Sequence, residues 1–358
     1  MLICSIDGGI TAYYKKENFK TALKNRVEYI LKKHYKTSRP FSVEIHKKSS
    51  SLDSDVYLCK VGIRGEKTIR LYAKRAREEA FIIKHEYEMT KHLWDRYYYK
   101  EREMIIPKPI DYWENGATLF VERVKGRRLS TILGYKGLPV IRWFFPTSFR
   151  ELMNHAANWL AHFHSVTRKT KKISFNAAIQ EDLKNIIVQW PSAISQKQID
   201  KCFVKLRDFA LSLDTTPHTI TGRHGDYDPD NIIMASDRTC VIDFAYFSYG
   251  TPLLDVANFM VTLELHSTPF HTMSYHSLGF WRKFANYFLA TYNSIAKLPF
   301  SKDEVNLYRV LKFIRALGYA KKAVEMGSEN SFGTLLLRLQ SIYAAQQVKN
   351  FLKGNDLG

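Results

Sequence analysis

The sequence predicts an α+β fold of two lobes, a small N-terminal antiparallel β-sheet lobe with one helix and a larger, mostly helical C-terminal lobe. Three observations carry this expectation. The chain has 358 residues, more than the roughly 250–300 at which a single hydrophobic core stops growing. After Pro40 the apolar residues alternate in short runs, the period of strands, and from Ser148 onward the dominant period is helical. A content of 45% hydrophobic and 14% aromatic residues, with no repeat or low-complexity tract, is enough for a sizeable core.

The elements follow in order. Residues 17–36, ENFKTALKNRVEYILKKHYK, place Phe19, Leu23, Val27 and Ile30 or Leu31 at helical spacing with lysines between them. This basic amphipathic helix lies in an N-terminal extension, residues 1–40, and is expected to pack on the domain, with peripheral contact to an anionic membrane as the alternative. The runs FSVEIH, DVYLCKVGI and KTIRLYAKR read as strands separated by turns. EEAFIIKHEYEMTKHLWDRYY reads as a helix, and IPKPIDYWENGATLFVERV as two strands turning at Asn115 and Gly116. A connector near Val121–Gly126 divides a lobe over 41–124 from one over 125–358. Beyond it come the helices FRELMNHAANWLAHFHSV and IDKCFVKLRDFALSL and long helical segments from Phe280 on. Between these helices sits one compact β-rich insert, HTITGRHGDYDPDNIIMASDRTCVIDFAY.

The formal net charge is +19, which points to nucleic acid, an anionic membrane surface or an acidic small molecule. No nucleic-acid motif accompanies the basic segments, so a solvated surface is the expectation and a nucleic-acid partner is not. The start MLICSIDGG lacks a signal-peptide pattern and no run reaches the ~18 apolar residues of a membrane span, so a cytoplasmic protein is expected. Cys4, Cys59, Cys202 and Cys240 are scattered without CxxC spacing, which suits reduced thiols.

Against this basic background, Arg223–Glu264 is rich in aspartate, and HGDYDPDNIIM sets three aspartates within five positions. A calcium loop would use that spacing, but it wants Gly at its sixth position and Glu at its twelfth, where this chain has Asn231 and Asp237. The wider pattern is more informative: Asp226, then Asn231 five positions on, then Asp243 on the next strand, the constellation that protein kinases use for phosphoryl transfer. In it Asp226 would accept the proton of an acceptor hydroxyl. Asn231 and Asp243 would ligate magnesium, a hard cation that takes oxygen donors.

HGDYDPDN followed by VIDFAYFSYGTPLLDVANF resembles the catalytic block of the aminoglycoside phosphotransferase and choline kinase superfamily. YAK, HEYEMTKHL, IPKPIDYW, FVERVKGRRL and NWLAHFHS follow in family order, so that the similarity spans roughly residues 42–320. The resemblance implies a protein-kinase-like bilobal fold and an ATP- and magnesium-dependent small-molecule kinase, with GTP as an alternative donor. It implies Asp226 as catalytic base and Asn231 and Asp243 as metal ligands. Lys74 resembles the strand lysine that holds the nucleotide's phosphates, and Glu86 the helix carboxylate that orients it; Lys67, Arg70, Arg75 and Glu88 are the local competitors. Strand alternation puts Lys74 with Arg70 and Tyr72 on the face opposite Leu71 and Ala73. The segment KKSSSLDSD occupies the place of the family's phosphate-covering loop, without Gly-x-Gly; Ser49, Ser50 and Ser51 are its anion-binding candidates, with a serine-rich surface turn as the equal alternative. Glu122 to Val124 would present backbone groups to the base. The resemblance also makes His224 a structural histidine and Asp255 a carboxylate bonding backbone amides near the catalytic loop. Asp228 and Asp230 depart from the commoner family residues and stay unassigned.

For the acceptor, the helical lobe carries no matching motif. Phe280, Trp281, Phe284, Tyr287, Phe288 and Tyr292 could cage a quaternary ammonium, but their spacing is that of a core-facing stripe. The basic excess, including Arg127 and Arg128, suits a sugar, a nucleoside-like molecule or an anion. A hydroxylated small molecule, a sugar or aminoglycoside-like acceptor, is expected, with a choline-type acceptor or a non-catalytic kinase-like binding protein as alternatives.

Overall fold

The structure is a computed structural model. It describes residues 16–36, 40–51, 53–65, 68–77, 79–98, 104–136, 148–189, 196–213, 217–235, 238–266, 278–297, 300–325 and 331–354. Cys4, Lys67 and Asp237, and residues 1–15 and 37–39 of the extension, lie outside them. The chain forms two compact units, residues 1–96 with 107–124, and 97–106 with 125–358.

The first unit is one antiparallel sheet with a helix on each face. Its strands β1 (Phe41–Ser50), β2 (Ser54–Ile63), β3 (Ile69–Ala76), β4 (Pro109–Trp113) and β5 (Thr118–Glu122) run in the order β1-β2-β3-β5-β4. Period-2 alternation sends Tyr57, Cys59, Val61 and Ile63 of β2, Leu71 and Ala73 of β3, and Phe120 of β5 to one face. Helix α1 (Lys16–His34) lays Phe19, Leu23, Val27, Ile30 and Leu31 on that face, each 0–1% exposed. The helix is therefore part of this unit's core. Its apolar face is consumed by the sheet, which excludes insertion of that face into a membrane interface. Arg26 Nε donates to Asp111 Oδ2 of β4 at 2.8 Å, tying the helix to the strand that completes the sheet. Helix α2 (Ala80–Leu93) covers the other face.

The strands run further into KKSSSLDSD than its composition suggests: β1 continues to Ser50, with Ser49 opposite Val56 and Ser50 opposite Asp55, so only three residues separate β1 from β2. Lys47 pairs with Asp55 at 2.9 Å and Ser50 Oγ donates to the same carboxylate at 2.8 Å. These cross-strand partners extend the strand pairing through residues whose composition suggests a turn.

The second unit is mainly helical: α3 (Leu129–Lys136), α4 (Phe149–Val166), α5 (Phe175–Gln189), α6 (Gln196–Ser212), α7 (Leu253–His266), α8 (Leu278–Ala296), α9 (Lys302–Glu325) and α10 (Ser331–Lys353). α4 opens on a capping box, in which Ser148 Oγ accepts the Glu151 N–H and Glu151 reaches back to the Ser148 N–H. It packs along α8, while α9 lies against α7 and α10. Short strands frame the insert between α6 and α7: β6 (Arg127–Arg128), β9 (Thr221–Arg223), β10 (Ile232–Met234), β11 (Thr239–Val241) and β12 (Ser248–Gly250), with β7 (Lys172–Ile173) pairing β8 (His218–Thr219). They pair as β11-β10-β6 and β12-β9. Beneath them Trp159, Phe163, Tyr227, Phe244 and Phe259 are fully buried. Among the described residues no helix is long and apolar enough to cross a membrane, and Cys59, Cys202 and Cys240 are free and buried.

If α1 is core to the first unit, Leu23→Ala should cost about 2–5 kcal/mol, read as a lowered midpoint in denaturant unfolding. Replacement of the exposed Lys24 on the same helix should leave the midpoint within about 0.5 kcal/mol.

Candidate active site

The hairpin β10–β11 sets the site's frame. Ile232 pairs with Val241, and the Ile242 N–H donates to the Asn231 carbonyl at 3.0 Å, so Asn231 lies across from Ile242 and one residue from Asp243. Asn231 Nδ2 donates to the Asp226 carbonyl at 2.9 Å and to its Oδ2 at 3.3 Å, joining the two ends of the DYDPDN loop. Asp243 has φ +70°, a left-handed conformation uncommon for a non-glycine residue and often found where function holds the backbone.

Asp228 and Asp230, unassigned from sequence, shape this loop. Asp228 Oδ1 accepts the N–H groups of Asp230 at 2.9 Å and Asn231 at 3.1 Å, the turn geometry that aspartate favours. Asp230 takes the Ser130 hydroxyl, and the Ser130 N–H donates to the Pro229 carbonyl at 3.0 Å, so α3 braces the loop from outside.

Behind the loop lies a buried polar relay. Tyr292 donates its hydroxyl to His164 Nδ1 at 2.8 Å, and His164 Nε2 donates to Asp255 Oδ2 at 3.1 Å. Asp255 then accepts the backbone N–H groups of His224 at 2.7 Å and Gly225 at 2.8 Å. All three relay side chains are buried. Burial alone would push the Asp255 carboxyl up, but the His164 bond and the His224 N–H outweigh it and hold it below the ordinary aspartate value. Burial pushes His164 down and Tyr292 well up, so the imidazole stays neutral and the phenol stays a donor. His224 is structural: Nδ1 accepts the Asp226 N–H at 3.3 Å, and Nε2 donates to the Ile242 carbonyl at 2.9 Å. Both ring nitrogens are engaged in fixing the loop. Gly225, at φ +81°, has no room for a side chain, because a Cβ there would sit 2.3 Å from the Tyr246 carbonyl oxygen.

Two cations that the sequence reading missed complete the surroundings of Asp226. Lys312 Nζ lies 3.8 Å and Arg315 Nη2 3.5 Å from its Oδ1, and Arg315 Nη1 donates to the Gly225 carbonyl at 2.7 Å. They stand three apart on α9, the spacing that shares a helix face. Burial raises the Asp226 carboxyl, while Arg315 and Lys312 more than offset it and leave the group below its usual range.

In the first unit, Lys74 Nζ meets Glu86 at 2.8 Å, with Glu86 buried on α2. The competitors fall away by geometry: Glu88 is exposed, and Arg75 lies over the Phe19 ring on the α1 side at 3.9 Å. Ser50 is bound to Asp55, and Ser51 Oγ accepts the Ser54 N–H at 3.1 Å, so both hydroxyls serve the hairpin. The Glu122 N–H is spent on the Lys108 carbonyl and the Arg123 N–H on that of Arg70, whereas Val124 lies past the last strand pair.

The donor chemistry near Asp226 suits magnesium. With Nδ2 of Asn231 committed to Asp226, its Oδ1 is the atom left for a cation, and Asp243 adds a carboxylate. Among the described residues no group of three or more His, Cys, Asp or Glu could hold a metal by itself. Two hard oxygen donors match the way magnesium is held together with a substrate's phosphates.

The profile of the choline/ethanolamine kinase family matches residues 145–337. None of the curated proteins matches the chain significantly in sequence. Among solved structures, the fold is shared with a putative aminoglycoside phosphotransferase from Ralstonia eutropha, at 18% identity and TM-score 0.59, covering 90% of this chain and 98% of that one. Choline kinase LicA from Streptococcus pneumoniae gives 14% identity and TM-score 0.60, covering 94% and 99%. A glucosamine kinase gives 14% and 0.54, covering 91% and 86%. The protein-kinase-like α+β fold is thus the chain's fold.

The relay makes stability depend on pH with a definite sign. Because His164 is held below the ordinary value of 6.5, its contribution is full above that pH and lost as protons bind the unfolded chain below it. The melting temperature should fall between pH 7.5 and 5, and His164→Gln, which cannot titrate, should flatten that fall.

Proposed function

The chain belongs to the choline/ethanolamine kinase family, and from that premise we propose that it is a magnesium-dependent small-molecule kinase that moves the γ-phosphoryl group of ATP to a hydroxyl. The observation that carries this reading is the Asp226–Asn231 contact at the end of a hairpin that turns Asp243 back beside it. Asp226 orients the acceptor hydroxyl and takes its proton as the oxygen bonds to the γ-phosphorus. The bond from that phosphorus to the β,γ-bridging oxygen breaks, and ADP leaves with the electron pair. Magnesium, held by Asn231 and Asp243, supplies charge neutralisation on the phosphates. Lys74, fixed by Glu86, binds nucleotide phosphates, and Val124 offers a backbone N–H to the base. GTP can replace ATP where base recognition is mainly through backbone groups.

A sugar-like acceptor is supported by the glucosamine kinase neighbour, whose structure holds glucosamine, ADP and inorganic phosphate. An amino-alcohol acceptor, choline or ethanolamine, is the second reading, favoured by the name of the matching family. Opposing it, Trp281, Phe288 and Tyr292 of the α8 stripe are fully buried, and Tyr292 is part of the relay. These rings are core rather than a cage.

Asp226→Asn should lower turnover by about 10²–10⁴-fold while the protein still binds nucleotide in calorimetry. Asp243→Ala should abolish the magnesium-dependent part of that binding, and Lys74→Ala should raise the KM for ATP with a smaller effect on the KM for the acceptor. Full activity in Asp226→Asn would sink the assignment.

A further inference from the structure

We infer that the acceptor carries an anionic group beside its reacting hydroxyl, as a sugar phosphate or sugar acid does; this rests on the kinase reading of Asp226. A cavity of about 350 Å³ in the second unit is lined by residues that include Gly225, Tyr246, Lys312 and Arg315, and so opens next to Asp226. That is the small end of ligand pockets, about 300–1,000 Å³, suited to a single ring rather than to a multi-ring aminoglycoside.

The charges in the cavity decide its class of ligand. Asp182 is already matched: Arg223 Nη1 donates to its Oδ1 at 2.6 Å and Tyr308 to its Oδ2 at 3.1 Å. Glu181 is exposed at the rim. In the interior that leaves Lys312 and Arg315, 12% and 14% exposed at the side chain, facing Asp226 through contacts longer than direct hydrogen bonds, while Asp228, which also acts on Lys312, is spent on the N–H groups of Asp230 and Asn231. When the acceptor's hydroxyl proton reaches Asp226, that carboxylate no longer offsets the two cations, and an anionic group on the ligand can take its place. A cationic acceptor would bring a third positive charge to them, and an anion would complete the set.

The aromatic faces exclude a quaternary ammonium for the same reason. Arg315 covers the Tyr246 ring at 5.0 Å from its centroid, and Lys169 covers Tyr249 at 4.2 Å. Both lining tyrosines thus already have a cation of the protein on the ring.

Glucosamine, glucose, glucuronate and glucose 6-phosphate share one ring and differ in charge. Their binding to the full chain loaded with ADP and magnesium, by calorimetry, separates the alternatives. At least one anion should bind about tenfold or more tighter than glucose and glucosamine, and Lys312→Gln should bring that preference towards one while leaving ADP affinity unchanged. Which anion wins distinguishes phosphate from carboxylate. Tighter binding of glucosamine or choline, failure of both anions to bind, or an undiminished preference in Lys312→Gln would overturn the inference. The kinase reading is judged separately: it fails if ATP and magnesium give no shift in melting temperature, whatever the sugars do.

Discussion

The loop that carries Asp226 and Asn231 hangs from a buried carboxylate behind it. Asp255 is buried, and an ion in that environment persists only if its oxygens are matched by donors. It finds three, the His164 ring and two successive backbone N–H groups, at 2.7–3.1 Å. Those two amides begin the loop that carries Asp226 and Asn231, so satisfying one buried charge also fixes where the loop starts. The relay's members come from different segments: His164 from α4, Asp255 from α7, Tyr292 from α8. The loop's position therefore depends on how these helices pack. Gly225 is the matching backbone constraint, since the approach of the Tyr246 carbonyl leaves no space for a side chain.

Much of the fold was legible because period and punctuation agreed. Alternating runs after Pro40 became β1–β5, the ENG turn became the connection between β4 and β5, and a serine–glutamate pair opened α4 as a capping box. Over KKSSSLDSD the strands run further than composition suggests, for a definite reason. Serine and lysine are common in turns, but here Lys47 and Ser50 find a cross-strand partner in Asp55, and that pairing outweighs composition. The α1 helix was legible as amphipathic, yet only the apolar face presented by Tyr57, Leu71 and Phe120 shows what it covers.

Within the site, Asp226 and Asn231 meet in the loop that the motif spans, and the structural places of His224 and Asp255 were readable. Lys312 and Arg315 were not, because they meet Asp226 across almost ninety residues and their helix carries no local motif. A faint signal exists in VLKFIRAL, where two cations interrupt a run otherwise apolar enough to be core. The surplus of +19 was a poor guide to it. Arg127 and Arg128, which drew attention by sequence position, are exposed on β6, whereas the cations closest to Asp226 come from a mostly buried helix.

The position of α1 bears on where this protein's boundaries are drawn. The sheet begins at Phe41, so a boundary set there would discard the helix as an appendage. Cutting there would uncover Tyr57, Cys59, Val61, Leu71, Ala73 and Phe120 along one sheet face and leave Asp111 without Arg26. Such a fragment would have a sticky surface in place of half its interior, and insolubility on expression would be a property of the cut rather than of the protein. The smallest faithful version of this unit starts before Phe19, and any comparison of chain lengths among relatives should count that helix as interior.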